Sequence, residues 1–508
     1  MINKISVVAF IIFSAFCGNA FGQADSGKVY HEPYRPQVHF SPQAHWMNDP
    51  NGMVYYKGVY HLFFQYYPNG TVWGPMHWGH AESPDMVHWK QLPIALYPDS
   101  LGYIFSGSAV ADSNNTSGFG KNGKMPLVAI FTSHDPKGER AGTNNFQNES
   151  IAYSLDNGTT WTKYSGNPVL HNPGIRDFRD PKVMWYAPGH KWLMTLATKD
   201  RITFYSSPDL KSWTKESEFG ATSGAHGGVW ECPDLFTLKL AGKTYWILIV
   251  NVNPGGPNSG SGTQYFVGQF NGNKFTPVDA STRWLDYGPD EYAGITWSNT
   301  GNRKIFLGWM SNWEYGTAVP TVKWRSAMTI PRELGLATYN GQVIVVSKPA
   351  KEINSLKKEV ITLKNITVNR PVDLGKKLGK ISGQYLLKLN TDTLKSYELT
   401  FFNNANEKVA IGYDKSSNQY FIDRSQSGDV SFNKDFGRKY FAPRLSKNKG
   451  GQLTLVIDAS SVELFADGGT TVMTGIFFPG KPYNKIQLQA AGGLTIKELT
   501  FSNLKSIW

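Results

Sequence analysis

Cysteine is almost absent: only Cys17 and Cys232 occur in 508 residues. Once the first leaves with an export signal, no internal disulfide can form, and the mature chain must be held by packing. Long apolar runs are missing too. The run from Ile5 to Phe16 is too short to span a bilayer, and no later segment is long enough for a transmembrane helix. Dense basic blocks are also absent. The net charge is +12, but the lysines are scattered over strand ends and turns, which suits solubility and edge protection rather than nucleic-acid binding. There is no phosphate-binding glycine loop and no dinucleotide fingerprint. His77 and His80 are three apart, which on a strand puts them on opposite faces, so they cannot share a metal. Neither a cofactor nor a metal is expected. The first two-thirds of the chain lack any long run of helical periodicity.

What is present is aromatic and strand-like. Aromatic residues make up 14% of the chain, with 16 Trp. They read either as large β-sheet cores or as sugar-stacking surfaces. With 508 residues, two domains are expected rather than one core. The N-terminus has one early lysine, an apolar run and then small residues, Ala20-Phe21-Gly22 and Ala24. This reads as a secretory signal over residues 1–24 and an exported protein, periplasmic or secreted. Cys17 offers lipid attachment as the alternative, against which stands the bulky Phe16 before it.

Strand signals dominate from residue 28 onward. "MVYYKGVYHLFFQYYP" reads as two strands around a Lys57-Gly58 turn. A weak repeat ends at Trp89 ("SPDMVHW"), Trp161 ("SLDNGTTW") and Trp213 ("SPDLKSW"). In each, an Asp two residues after Ser can close a turn on its own backbone, and the Trp starts the outgoing strand. Hairpins repeated in this way suggest β-propeller blades, and residues 28–335 have room for about five. After residue 335 tryptophan disappears until Trp508. Residues 336–354 read as a linker and 355–508 as a β-sandwich of short strands. The expected fold is therefore all-β, a five-bladed propeller followed by a sandwich.

Three carboxylates stand in unusual contexts, all in the first domain: Asp49 in "WMNDPNG", Asp180 in "FRDPKV" and Glu231 in "WECPDLF". Asp49 and Asp180 each precede a proline, which restrains the backbone and hence the side-chain direction. That suits a held nucleophile, and equally an ordinary turn or strand-end cap. Glu231 lies among apolar neighbours, where desolvation would favour the protonated form that a general acid needs. The alternative is a Glu paired with a base at the propeller rim. Two carboxylates flanking a glycosidic bond are the general apparatus of sugar hydrolysis. Gln65, Trp73, Ser106 and Arg179 are the polar and aromatic residues that fit beside them. Cys232, with no motif-linked His, reads as a buried structural thiol.

Seven strings, "WMNDPNG", "FQYYP", "WGPMHWGHA", "FSGSA", "FRDPKV", "WECPDLF" and "GWMSNWEY", occur in the order seen in glycoside hydrolase family 32, and the chain closely resembles that family of invertases, inulinases and levanases. The resemblance spans nearly all of the mature chain, including "SVELFADGG". It implies a five-bladed propeller plus sandwich and retaining cleavage of β-fructofuranosyl bonds without metal or cofactor. By the same resemblance Asp49 is the nucleophile, Glu231 the acid/base and Asp180 a stabiliser that binds fructose hydroxyls. Trp46, Met47, Asn48, Gln65, Trp73, Phe105, Ser106, Arg179 and Trp313 match the substrate-binding positions. Tyr67 stands where the family commonly has Asn, which puts the neighbouring subsite in question. "MSNWEY" is more similar to fructan-degrading members than to bacterial sucrose hydrolases. An exo-acting levan or inulin hydrolase is the leading expectation. A sucrose hydrolase, an endo-levanase and a catalytically dead fructan-binding protein are the alternatives. The oligomeric state is left open.

Overall fold

The computed structural model describes residues 29–508. The expected signal segment 1–24 and Cys17 lie outside the described residues. The architecture is nearly all β: a β-propeller followed by a β-sandwich.

Five sheets follow one another from His45 to Pro349. Their chain-first strands are His45–Tyr56, Tyr103–Ala111, Phe178–Tyr186, Val229–Leu240 and Tyr292–Thr296. Each of these five touches the next, and the fifth touches the first, so they form a closed ring. The short strand Trp324–Arg325 pairs in parallel with the start of His45–Tyr56, which joins the end of the ring to its beginning. The first hairpin turns at Lys57 and Gly58, with φ +48° and +86°, as its two strands require. The three Ser-x-Asp repeats sit between the third and fourth strands of the first three sheets. In the first, Asp85 Oδ1 accepts from the backbone N–H of Val87 and His88, at 3.0 and 2.9 Å. In the third, Asp209 does the same for Lys211 and Ser212. In these three sheets the turn ends at the tryptophan, and the outgoing strand starts at the next residue, Lys90, Thr162 or Thr214.

One irregularity recurs around the ring. Every chain-first strand carries a register shift near its N-terminal end: between Met47 and Pro50, Ile104 and Gly107, Arg179 and Lys182, Glu231 and Asp234, and Tyr292 and Ile295. Among the residues inside the five bulges are Asp49, Ser106, Asp180, Cys232 and Ala293. Each is followed by Pro or Gly: Pro50, Gly107, Pro181, Pro233 and Gly294. Proline needs no ladder partner at a bulge. At the glycines a Cβ would lie 2.0 Å from Ile130 O and 2.0 Å from Phe306 Cζ, respectively. Asp180, Cys232 and Ala293 adopt positive φ, +65°, +43° and +54°. A bulge re-aims its side chain out of the sheet plane, and here five of them do so at one level of the ring.

The sequence-based linker 336–354 needs correction. Arg332–Tyr339 and Gln342–Pro349 form a hairpin in the fifth sheet, turned at Asn340-Gly341 with φ +50° and +78°. The connector is the 3-10 turn Lys351–Leu356. Beyond it, two six-stranded antiparallel sheets pack face to face around a core that includes Leu387, Leu399, Ile411, Leu455 and Leu488. Buried ion pairs tie sandwich to propeller. Arg332 bonds Asp286 at 2.8 Å and Glu463 through Nε at 2.8 Å. His39 lies between Asp458 and Glu463 at 2.8 and 3.0 Å. Burial alone would discharge this imidazole, but the two carboxylates outweigh it and hold its pKa up at about 9.

Candidate active site

Residues at or beside four of the five bulges, Asn48, Asp49, Phe105, Ser106, Arg179, Asp180 and Glu231, line one cavity of about 220 Å³. Asp49 comes from the first sheet. Its Oδ1 accepts from Asn48 Nδ2 at 2.9 Å, and its Oδ2 accepts from Ser106 Oγ at 2.7 Å and lies 3.5 Å from Cys232 Sγ. Asp180 comes from the third sheet. Its Oδ2 accepts from the Cys232 backbone N–H at 3.0 Å, and its own N–H donates to Thr132 Oγ1 at 3.1 Å. Thr132 passes its hydroxyl proton toward Glu149 Oε2 at 2.9 Å. Glu231 comes from the fourth sheet. Its Oε1 accepts from Arg179 Nε and Nη2 at 3.2 and 3.0 Å, and its Oε2 accepts from the Tyr292 hydroxyl. Arg179 is braced in turn by Asp177 at 2.6 Å.

The electrostatics follow from packing several carboxylates into one buried place. Burial pushes Asp49 up, and the charge of Glu231 adds to the shift, against the hydrogen bonds from Ser106, Asn48 and Cys232. Burial raises Asp180 to about 7; Arg179 opposes the rise, while Glu231 and Asp49 add to it. Glu149, the acid behind Asp180, is pushed well up by burial, against the hydrogen bond from Thr132. Burial works against the charge on Arg179, but Glu231, Asp180 and Asp177 outweigh it and keep the guanidinium charged. The Cys232 thiol is driven well above its usual range, first by burial and then by Asp180 and Asp49, so it is a protonated donor and not a nucleophile.

Most of the residues expected from the sequence meet here. Asn48, Gln65, Trp73, Phe105, Ser106, Arg179 and Trp313 line the cavity with the three carboxylates. Gln65 is 2% exposed, and its Nε2 finds no protein partner, which leaves a donor for a ligand hydroxyl. Trp73 stays 40% exposed at the mouth, edge-on to Phe105 with ring centroids 6.0 Å apart. Trp46 and Met47 do not line the cavity. Both are fully buried in the first strand, because the bulge turns Asn48 and Asp49 toward the axis and leaves their predecessors in the core. Trp46 acts from behind: its Nε1 donates to Asn48 Oδ1 at 2.8 Å, and its ring stacks on Trp313 at 5.8 Å.

Several contributors escaped the sequence reading. Tyr292 occupies in the fifth sheet the bulge position that Asn48, Phe105, Arg179 and Glu231 occupy in the others. Aligning "YAG" with "NDP", "FSG", "RDP" and "ECP" would have found it. Cys232 is a buried thiol as expected, but it sits at the centre of the site. His134, Glu139, Phe146, Gln147 and Asp177 also line the cavity, with no motif to mark them. Among the described residues, no group of three or more His, Cys, Asp or Glu could hold a metal ion. The arrangement offers a directed carboxylate, a second carboxylate beside a permanent cation, and hydrogen-bonding groups for a polyhydroxylated ligand.

Residues 39–349 match the sequence model of the glycosyl hydrolases family 32 N-terminal domain, and residues 352–506 that of the glycosyl hydrolases family 32 C terminal. A levanase from Bacillus subtilis is 46% identical over 521 residues, covering 100% of this chain and 76% of that protein. The extracellular exo-inulinase inuE of Aspergillus ficuum is 42% identical over 517 residues, covering 94% and 96%. The crystal structure of exo-inulinase from Aspergillus awamori is similar with a TM-score of 0.86 at 39% identity, covering 94% of this chain and 100% of that one.

Proposed function

The chain belongs to glycosyl hydrolase family 32, and from that membership we propose that it is an exported fructan hydrolase, releasing fructose from chain ends with retention of configuration. It is a glycoside hydrolase acting as a β-fructofuranosidase. The observation that carries the finer reading is the convergence of Asp49, Asp180 and Glu231 from three separate strands, each at or beside a bulge, on one small cavity. At about 220 Å³ it is smaller than the roughly 300–1,000 Å³ of typical small-molecule sites. That size suits one terminal fructose and the first part of a leaving group, and so exo action.

In the proposed reaction, an Asp49 carboxylate oxygen bonds to the anomeric carbon of the terminal fructosyl unit. The glycosidic C–O bond breaks, and its electron pair goes to the leaving oxygen, which takes a proton from Glu231. In the second step Glu231 removes a proton from water, the water oxygen bonds to the anomeric carbon, and Asp49 leaves as a carboxylate. A retaining geometry requires the two carboxyl groups to lie about 5 Å apart. Asp180 accepts hydrogen bonds from fructose hydroxyls. Asn48 and Ser106 aim Asp49, Gln65 supplies its free donor, and Trp73 and Trp313 bracket the sugar. We read the five sheets of residues 45–349 as five propeller blades and residues 361–503 as the sandwich. The extracellular naming of the inulinase relative supports export.

Incubation with levan, inulin and sucrose, followed by chromatography of the products, tests this reading. Free fructose as the first product from levan or inulin, at a higher specificity constant than from sucrose, is expected. If sucrose is the better substrate and the polymers are barely touched, the enzyme is an invertase. If the first products are oligosaccharides, it is endo-acting.

A further inference from the structure

The cavity has an acidic wall that the reaction above does not use. Glu139 lies on the short helix Pro136–Arg140 and lines the same cavity as Asp49 and Glu231. Its side chain is 41% exposed; Oε2 lies 3.1 Å from His134 Nε2, and Oε1 is 3.9 Å from Arg176 Nη2. An exposed pair at that second distance contributes little.

The hydrogen bonds behind Glu139 fix which atom of His134 carries the proton. Gln147 Oε1 accepts from the Phe178 N–H at 2.9 Å and from Arg179 Nη1 at 3.4 Å. The Gln147 atom facing His134 Nδ1, at 3.4 Å, is therefore the amide nitrogen, which can only donate. Nδ1 is then the acceptor and the ring hydrogen sits on Nε2, which lies 3.1 Å from Glu139 Oε2 but makes no hydrogen bond to it in this geometry. The ring is held flat against Phe105, with centroids 4.2 Å apart and planes 7° apart. Burial lowers the pKa of this imidazole, against the neighbouring charge of Glu139. Glu139 thus borders the His134 edge through Oε2, and Oε1 lies 3.9 Å from the nearest cation, Arg176. The same polar wall runs without a break through His134, Gln147 and Arg179 to Glu231. The nearby acid Asp177 is already engaged by Arg179.

We propose that Glu139 is a specificity-determining residue that accepts hydrogen bonds from the hydroxyls of the leaving sugar, the unit next to the fructose being removed. The proposal rests on the fructosidase reading above. Glu231 must reach the leaving oxygen, so the departing sugar lies along the wall that Glu231 shares with Arg179, and Glu139 stands farther along that wall. An ionised carboxylate is acceptor-only, which matches a sugar's hydroxyl donors.

The test compares wild type, Glu139→Gln and Glu139→Ala on a linear trisaccharide of fructose and on β-fructosyl fluoride, whose leaving group has no hydroxyls. Glu139→Ala should lose about 10- to 100-fold in kcat/KM on the trisaccharide, the range for losing a hydrogen bond to a charged group. Glu139→Gln, which keeps one acceptor, should lose less, and both variants should match wild type on the fluoride. Equal losses on both substrates would overturn the proposal, because Glu139 would then act on the reacting centre through its wall or on folding. No loss on either would overturn it as well. A wild type inactive on both would instead remove the fructosidase reading itself, a separate and recognisable failure.

Discussion

The thiol of Cys232 lies between two carboxylates, with Sγ 3.5 Å from Asp49 Oδ2 and 3.6 Å from Asp180 Oδ2. One S–H proton serves two acceptors and can satisfy only one at a time, so it couples the two acids. Cys232→Ser keeps a donor and should retain most activity. Cys232→Ala removes it, and kcat/KM should fall by about tenfold, the cost of one hydrogen bond to a charged group. Steady-state kinetics on the two variants checks this. An alanine variant as active as wild type would mean that the thiol only fills space.

Asp180 gives a stability test with a definite sign. Its folded pKa of about 7 lies above the ordinary 3.8, so between those values the folded state binds more protons than the unfolded one. Stability contributed by this group is complete below pH 3.8 and is lost as pH rises toward 7. Asp180→Asn removes that loss. The variant should be inactive, yet melt about 2–4 °C above wild type at pH 8, with the gap closing toward pH 4. Thermal melts across that range decide it. A gap that widens at low pH would contradict the assignment.

The stereochemical outcome follows from Asp49 acting as nucleophile, since two displacements at one carbon restore its configuration. NMR of the first fructose formed, recorded before mutarotation, should show the β anomer. An initial α anomer would mean direct attack by water, with Asp49 as a base.

The parts of the site legible in the sequence were those where backbone chemistry left a mark. Asp49 and Asp180 precede proline, and Glu231 precedes Cys-Pro; in the fold each of those prolines directly follows a bulge residue, Asp49, Asp180 or Cys232. Tyr292 fills the same position but is followed by Ala-Gly, so no carboxylate or proline drew attention to it. His134, Glu139 and Gln147 come from the second and third strands of their sheet and the turn between them. Nothing local marks them, and only the closed ring brings them to the cavity. The misplaced linker has a similar cause. Its Asn340-Gly341 turn and the β-branched run Val343 to Val346 are a hairpin signal, masked by the fall in tryptophan just before it. The family resemblance places Trp46 and Met47 among the substrate-binding positions, but a bulge changes which residues face the axis from one position to the next.

The central claim is that Asp49 and Glu231 have separate roles, and β-fructosyl fluoride separates them. Fluoride leaves without protonation, so Glu231→Gln should form the covalent intermediate at a nearly normal rate. It should also lose about 10²-fold or more on fructans. Without a general base the intermediate should accumulate, and azide, which needs none, should release it as β-fructosyl azide. Asp49→Asn should fail on both substrates at the first step. Mass spectrometry of each variant mixed with the fluoride is the measurement: the account predicts a fructosyl adduct on Glu231→Gln and none on Asp49→Asn. An adduct on Asp49→Asn, or equal losses on fluoride and fructan for Glu231→Gln, would contradict it.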